Sequence, residues 1–296
     1  MNGLTLALVM FFAYLAAYHT YGRYLADRIF RLQPELRCPS KAIQDDMDYV
    51  PTKRGILFGH HFTSIAGLGP VVGPAIAVIW GWVPAVCWVV FGSIFMGAVH
   101  DFAALVISMR GQGRTIGDLA GDIVNRRVRS LFLAIIFFAL WIIIAIFALI
   151  IAILFAQYPQ AVLPVWIEVP IALAVGFLVS RKGMNHLVLS LAAVALLYVF
   201  VVIGTWLPFT MPSLFGIPPL ALWMVLLLFY AYVASILPVQ MLLQPRDYLN
   251  SHQLMVAMGL LFAGIVAARP EVVAPALVAA PAGAPPMFPF LFVVVA

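Results

Sequence analysis

The stretch Lys53–Ala77, KRGILFGHHFTSIAGLGPVVGPAIA, is long and apolar enough to cross a bilayer, yet it is punctuated like a loop. It carries Gly55, Gly59, Gly67, Gly69 and Gly73, the prolines Pro70 and Pro74, and the adjacent histidines His60 and His61. A backbone polar group in hydrocarbon has no water to bond, so a broken span survives only where protein packs it or where it lines a cavity. A plain anchor has no use for such a segment. Pro70 and Pro74 lack an amide hydrogen, which leaves the carbonyls of Ala66 and Pro70 without helical partners. Gly67 and Gly69 permit the backbone angles that a break demands. The spacing predicts two half-helices meeting near residue 67, about halfway along the segment. The first ends near Ile65 with bare carbonyls, which attract cations; the second begins near Pro70 with bare amides, which attract anions. One spot then offers both signs, as a zwitterion, or a carboxylate with its coupling cation, requires. The same residues also fit a proline-kinked packing helix, because Gly55/Gly59 and Gly69/Gly73 are small-xxx-small pairs.

Composition agrees with a membrane protein. The chain is 65% hydrophobic and 9% charged, against about 25% charged for a soluble domain, and its mean hydropathy is +1.10. The net charge of +5 does not point to nucleic acid, because the basic residues lie in short loops between apolar runs. Cys38, in a polar loop, and Cys87, in an apolar run, read as free thiols without metal-ligand spacing. No basic residue precedes the first apolar stretch and no small-residue cleavage site follows it, so a cleavable signal peptide is not expected. There is no phosphate-binding Gly-Lys-Ser/Thr loop, nucleophile elbow or His-Glu-x-x-His motif. Neither an enzyme nor an ATP-driven pump is therefore expected, nor a cofactor or metal.

Apolar runs predict an all-α, polytopic helix bundle, one transmembrane domain over 1–296. About nine segments lie at 3–21, 55–79, 84–109, 130–155, 165–180, 186–206, 219–243, 252–268 and 287–296. If the spans simply alternate, fifteen of the sixteen Lys and Arg residues fall on one side, and only Arg269 lies opposite. The positive-inside rule makes that side cytoplasmic and puts the N-terminus outside. Residues 22–54 and 110–129 are then cytoplasmic loops. Trp80, Trp82, Trp166, Trp206 and Trp223 would form an interfacial belt on the outer side. Within the second loop, Ile116, Leu119, Ile123 and Val124 share a helical face and Thr115 with Asp118 resembles a capping pair, which predicts a short surface helix. Residues 269–286, rich in Pro and Ala, predict an irregular loop.

Ionisable residues inside spans are costly and are candidates for function. His60 and His61 diverge by about a third of a turn, so one of them can face a cavity as a proton relay or substrate contact. Segment three carries a stripe at helical spacing of Ser93, Gly97, His100 or Asp101, Ala104 and Ser108. Asp101 is the leading proton or cation site, with pairing to Arg54 or Arg110 as the competing role. Glu168 reads as solvated at the outer edge of segment five. Segment seven places Tyr230, Tyr232 and Ser235 before Pro238, as a gate or as a plain helix exit with an Arg246–Asp247 salt bridge at the inner surface. The candidate substrate contacts are Gly67, Gly69, Pro70, Gly73 and Ser64, with Tyr232 and Ser235; the candidate coupling residues are Asp101, His60, His61 and His100.

Three motifs carry a resemblance. LFGHHFTSIAGLGPVVGPAIAVIWGW at 57–82, GAVHDF at 97–102 and LLQPRDYLN at 242–250 resemble, in the same order, the bacterial carbon starvation protein A family of peptide transporters. The resemblance runs over essentially the whole chain. It implies secondary uptake of peptides, or of a small carboxylate such as pyruvate, during carbon starvation. It implies a proton or sodium ion as coupling partner, and a place in the bacterial inner membrane. It also implies a fold built from two inverted repeats, of which this chain would be the N-terminal part, a fragment or one half of a split transporter lacking its C-terminal half. Gln240 departs from the family pattern, which has an aromatic after Leu-Pro-Val. Two other classes compete with transport by symport. One is a haem-binding redox subunit using histidines among His60, His61, His100, His186 and His252; the other is a passive channel.

Overall fold

The computed structural model describes residues 2–33, 35–45, 47–182, 184–239, 241–279 and 283–295. Gln240 and the final Ala296 lie outside the described residues. Helices account for most of the described backbone, and the described residues contain no strand beyond isolated bridges. In chain order the helices are α1 (Gly3–Ala17), α2 (Pro39–Ala42), α3 (Arg54–Ile65), α4 (Leu68–Ala77), α5 (Trp82–Gly92), α6 (Ala98–Arg110) and α7 (Ile116–Ile123). Then come α8 (Arg126–Gln157), α9 (Val162–Lys182), α10 (His186–Trp206), α11 (Pro219–Ile236), α12 (Leu243–Ala268) and α13 (Met287–Val295). Among the described residues, eight helical stretches have the length and composition to cross a membrane. The ninth apolar run forms the nine-residue α13. Helix also runs further than the first apolar segment suggests: π-helical turns carry α1 on to Ile29, into the stretch read as loop.

The chain divides into two compact units. The first comprises Met1–Pro51, Ala66–Leu133 and Gly259–Ala296. Its core gathers Ala77, Trp80, Ala85 and Leu291, and the ring of Trp88 meets Phe292 of α13 edge-on at 4.5 Å. The irregular loop after α12 clasps the turn between α4 and α5. Val278 N–H donates to Trp80 O, and the N–H groups of Trp82 and Val83 donate to Pro275 O and Ala276 O, each at 3.1 Å. Only glycine serves at that turn: Gly81 has φ +100°, and a Cβ there would sit 2.6 Å from Ala276 O. Thr115 caps α7 by accepting from Asp118 N–H, as predicted. Only Gly117 and Leu119 bury its apolar face, while Ile123 and Val124 remain exposed.

The second unit comprises Thr52–Ile65 and Ala134–Met258. Its core packs Ala172 and Val175 of α9 against Ala193 and Val194 of α10 and Leu249 of α12. Small residues dominate because lipid tails give helices no hydrophobic reason to associate, so close van der Waals approach decides. A Cβ on Gly204 would stand 2.4 Å from Gln160 O. A neighbouring cluster joins Ala152, Phe155, Val162 and Trp223. The expected tryptophan belt is therefore corrected in part: Trp80 and Trp223 are buried anchors, whereas Trp206 is exposed. Indole rings bury more area than any other side chain and are used wherever packing has room for them.

Candidate functional site

The Lys53–Ala77 segment is interrupted as its glycines predict. α3 ends at Ile65, Ala66 and Gly67 form a bend, and α4 starts at Leu68. Gly67 is extended (φ −75°, ψ −159°) and provides no side-chain cap. The first turn of α4 thus points the amides of Leu68 and Gly69 along its axis without an intrahelical acceptor, Pro70 having none to give. Gly69 and Pro70 are exposed and Gly73 is buried; a Cβ at Gly69 would touch nothing within 4 Å. Pro74 inside α4 removes a further bond and leaves the Pro70 carbonyl bare.

Ser64, Tyr232 and Ser235 belong to the second unit, whereas Gly67, Gly69, Pro70 and Gly73 belong to the first. The Ser64 hydroxyl donates to His60 O (2.8 Å) and that of Ser235 to Tyr232 O (2.7 Å), both inside their own helices. The Tyr232 ring is exposed. The stripe on segment three is likewise held locally. Ser93 donates to Val89 O at 2.6 Å and meets the Tyr14 hydroxyl at 2.9 Å, and Ser108 donates to Arg114 O at 2.8 Å. Asp101 pairs with its neighbour His100, Oδ1 to Nδ1 at 3.2 Å, both in exposed positions. The Arg110 guanidinium is instead bonded to the carbonyls of Phe30 and Arg31.

The second unit holds a charged network that the sequence did not assemble. His60 Nδ1 of α3 lies 2.6 Å from Asp247 Oδ2 of α12, off the line of a hydrogen bond. The Thr63 hydroxyl donates to Asp247 O at 2.8 Å. Next along α12, Arg246 Nε lies 3.6 Å from Glu168 Oε1 of α9. Its NH1 donates to the Tyr230 hydroxyl of α11 at 3.4 Å, and its guanidinium stands 5.9 Å from the Tyr230 ring centroid. Two readings are corrected. Glu168 is buried at 9% exposure, not solvated. Arg246 and Asp247 sit near the start of α12 and hold α9 and α3, rather than each other. Both errors share a cause: α11 ends at Ile236 and α12 starts at Leu243, so Arg246 belongs to a helix that packs on α9, where a Cβ on Gly176 would be 2.9 Å from Met241 O and Pro245 Cγ. The rule that an ionisable residue within an apolar span is a functional candidate, applied to Glu168, would have found the network.

His61 is exposed. His252 is a core histidine: its Nδ1 lies 2.7 Å from Tyr248 O and 3.3 Å from Ser190 Oγ. Among the described residues no three His, Cys, Asp or Glu side chains are grouped as metal ligands.

A family model described as Carbon starvation protein CstA matches residues 2–296. The chain is 35% identical over 294 residues to a Peptide transporter CstA of Mycobacterium tuberculosis, covering 96% of this chain and 38% of that protein. It is 36% identical over 295 residues to the Pyruvate/proton symporter BtsT of Escherichia coli K12, covering 96% and 40%. To the Peptide transporter CstA of the same strain it is 34% identical over 309 residues, covering 100% and 43%. The chain spans about two-fifths of the length of these relatives. No solved structure matches it.

Proposed function

This chain belongs to the carbon starvation protein CstA family, and on that premise we propose that it serves a secondary active transporter of the bacterial inner membrane. The transporter imports a small peptide, or a small carboxylate such as pyruvate, by proton symport when carbon is scarce. The observation that carries this reading is the interruption at Ala66–Gly67. An unpaired helix N-terminus holds a carboxylate through amide donors and the helix dipole, and a discontinuous span is the usual seat of such a site in secondary transporters. In this reading Gly67, Gly69, Pro70 and Gly73 shape the carboxylate seat. Asp101 with His100, and His60 with His61, handle the coupling proton, His60 being supported by its contact with Asp247. The remaining partners are the bilayer and the counterpart repeat that the longer relatives have room for.

The test replaces Gly69 by Leu in the full-length transporter. A Cβ at this position meets no protein atom, so the variant reaches the membrane, while its larger side chain covers the amides. Proton-driven uptake of dipeptide and of pyruvate into proteoliposomes should be lost. Normal uptake by Gly69→Leu removes the break as the binding site.

A further inference from the structure

In the second unit a cavity of about 270 Å³ lies among α8, α9, α11 and α12. Phe147, Val165 and Leu227 contribute to apolar walls, and its polar groups come from Trp166, Tyr230 and Arg246. Every one of the three is a hydrogen-bond donor. Trp166 Nε1 is buried and has no hydrogen-bond partner. The Tyr230 hydroxyl accepts from Arg246 and keeps its own hydrogen to give. Arg246 is held loosely, because Glu168 Oε1 at 3.6 Å is beyond hydrogen-bonding distance and is itself buried without a hydrogen bond. A buried donor without an acceptor is costly and rare in a finished core, so Trp166 Nε1, on a residue of the cavity wall beside the loosely held Arg246, indicates a missing acceptor.

We propose that this cavity is a binding subsite for a small monocarboxylate. Its carboxylate takes the N–H groups of Arg246 and Trp166 and the hydroxyl of Tyr230, and its apolar body lies against Phe147 and Leu227. Glu168 is the resident counter-ion of Arg246, and the arriving carboxylate displaces it. The volume lies just under the roughly 300–1,000 Å³ of common ligand pockets, which favours a small acid over a longer peptide. The purpose of the subsite rests on reading the chain as part of a carrier, but its binding is measured without transport.

The experiment is equilibrium binding of labelled pyruvate to the purified chain in lipid nanodiscs. Arg246→Gln should weaken binding by about tenfold or more, as loss of a half-buried charged partner does. Glu168→Gln should tighten it by about threefold, because the competing carboxylate is gone while the cation stays; misfolding cannot produce that gain. Trp166→Phe should weaken binding several-fold. Wild-type affinity in both Arg246→Gln and Glu168→Gln overturns the subsite, as does weakening in Arg246→Gln without tightening in Glu168→Gln, or no pyruvate binding at all. Lost binding in Gly69→Leu beside unchanged binding in the Arg246 and Glu168 variants sinks the subsite and spares the α4 site. Tightening in Glu168→Gln beside normal uptake in Gly69→Leu does the reverse.

Discussion

Gly59 owes its place to what it faces. A Cβ there would stand 2.8 Å from both Ser251 Oγ and Tyr248 Cδ2 of α12, so α3 and α12 touch backbone to side chain at this point. That contact holds His60 at the level of Asp247. Gly55, one turn earlier, has nothing within 4 Å of its would-be Cβ. The two glycines look alike in the sequence and should behave differently on substitution. Gly59→Ala should destabilise by about 2 kcal/mol through overpacking, whereas Gly55→Ala should stay within about 0.5 kcal/mol of the parent. Thermal unfolding of the two variants in detergent distinguishes them, and equal melting temperatures would deny that α3 packs here.

At the scale of the element, α7 is held by its cap and by charge. The Thr115 hydroxyl bonds Asp118 through both its amide and its carboxylate, and Arg129 of α8 lies 2.7 Å from Asp118 Oδ1. The Thr115 hydroxyl, helped by the Arg129 charge, holds the Asp118 carboxyl below the usual aspartate range. A carboxyl depressed in the folded state stabilises at pH above its unfolded value of about 3.9 and loses that contribution as pH falls through the folded value. Amide exchange in α7 should therefore accelerate on acidification through that window, and Asp118→Asn should flatten the response; an unchanged profile in Asp118→Asn would discount the pair. Thr115→Ala should cost the helix about 1 kcal/mol at neutral pH, read as faster exchange confined to Ile116–Ile123.

For the whole molecule, the distribution of Lys and Arg makes a topological prediction. Cys38 is an exposed free thiol in the basic stretch after α1. If that stretch faces the cytoplasm, a membrane-impermeant maleimide should label Cys38 in inside-out vesicles and not in intact cells, in a Cys87→Ser background. Labelling in intact cells would invert the orientation. One of the boundaries between the two units falls at Ala66, the residue where the helix breaks. The segment singled out for its glycines and prolines is thus also one place where the chain passes from one compact unit to the other.

Hydropathy, proline and glycine placement, and the Thr115 cap determined the helical class, the break and the short helix α7, because each depends on residues close together in the chain. Pro70 cannot donate and Gly67 can bend in any context. The pairing of Glu168 with Arg246 and of Asp247 with His60 joins residues 78 and 187 positions apart, counted from Glu168 to Arg246 and from His60 to Asp247. No local pattern brings them together. Only the packing of α9 and α3 on α12 decided that these charges meet, because a side chain in an apolar span takes whichever partner the neighbouring helix presents. The packing of α11 on α8 and α9 likewise turned Trp223 inward to the core, while Trp206 stayed exposed, two residues that the sequence alone had no means to tell apart.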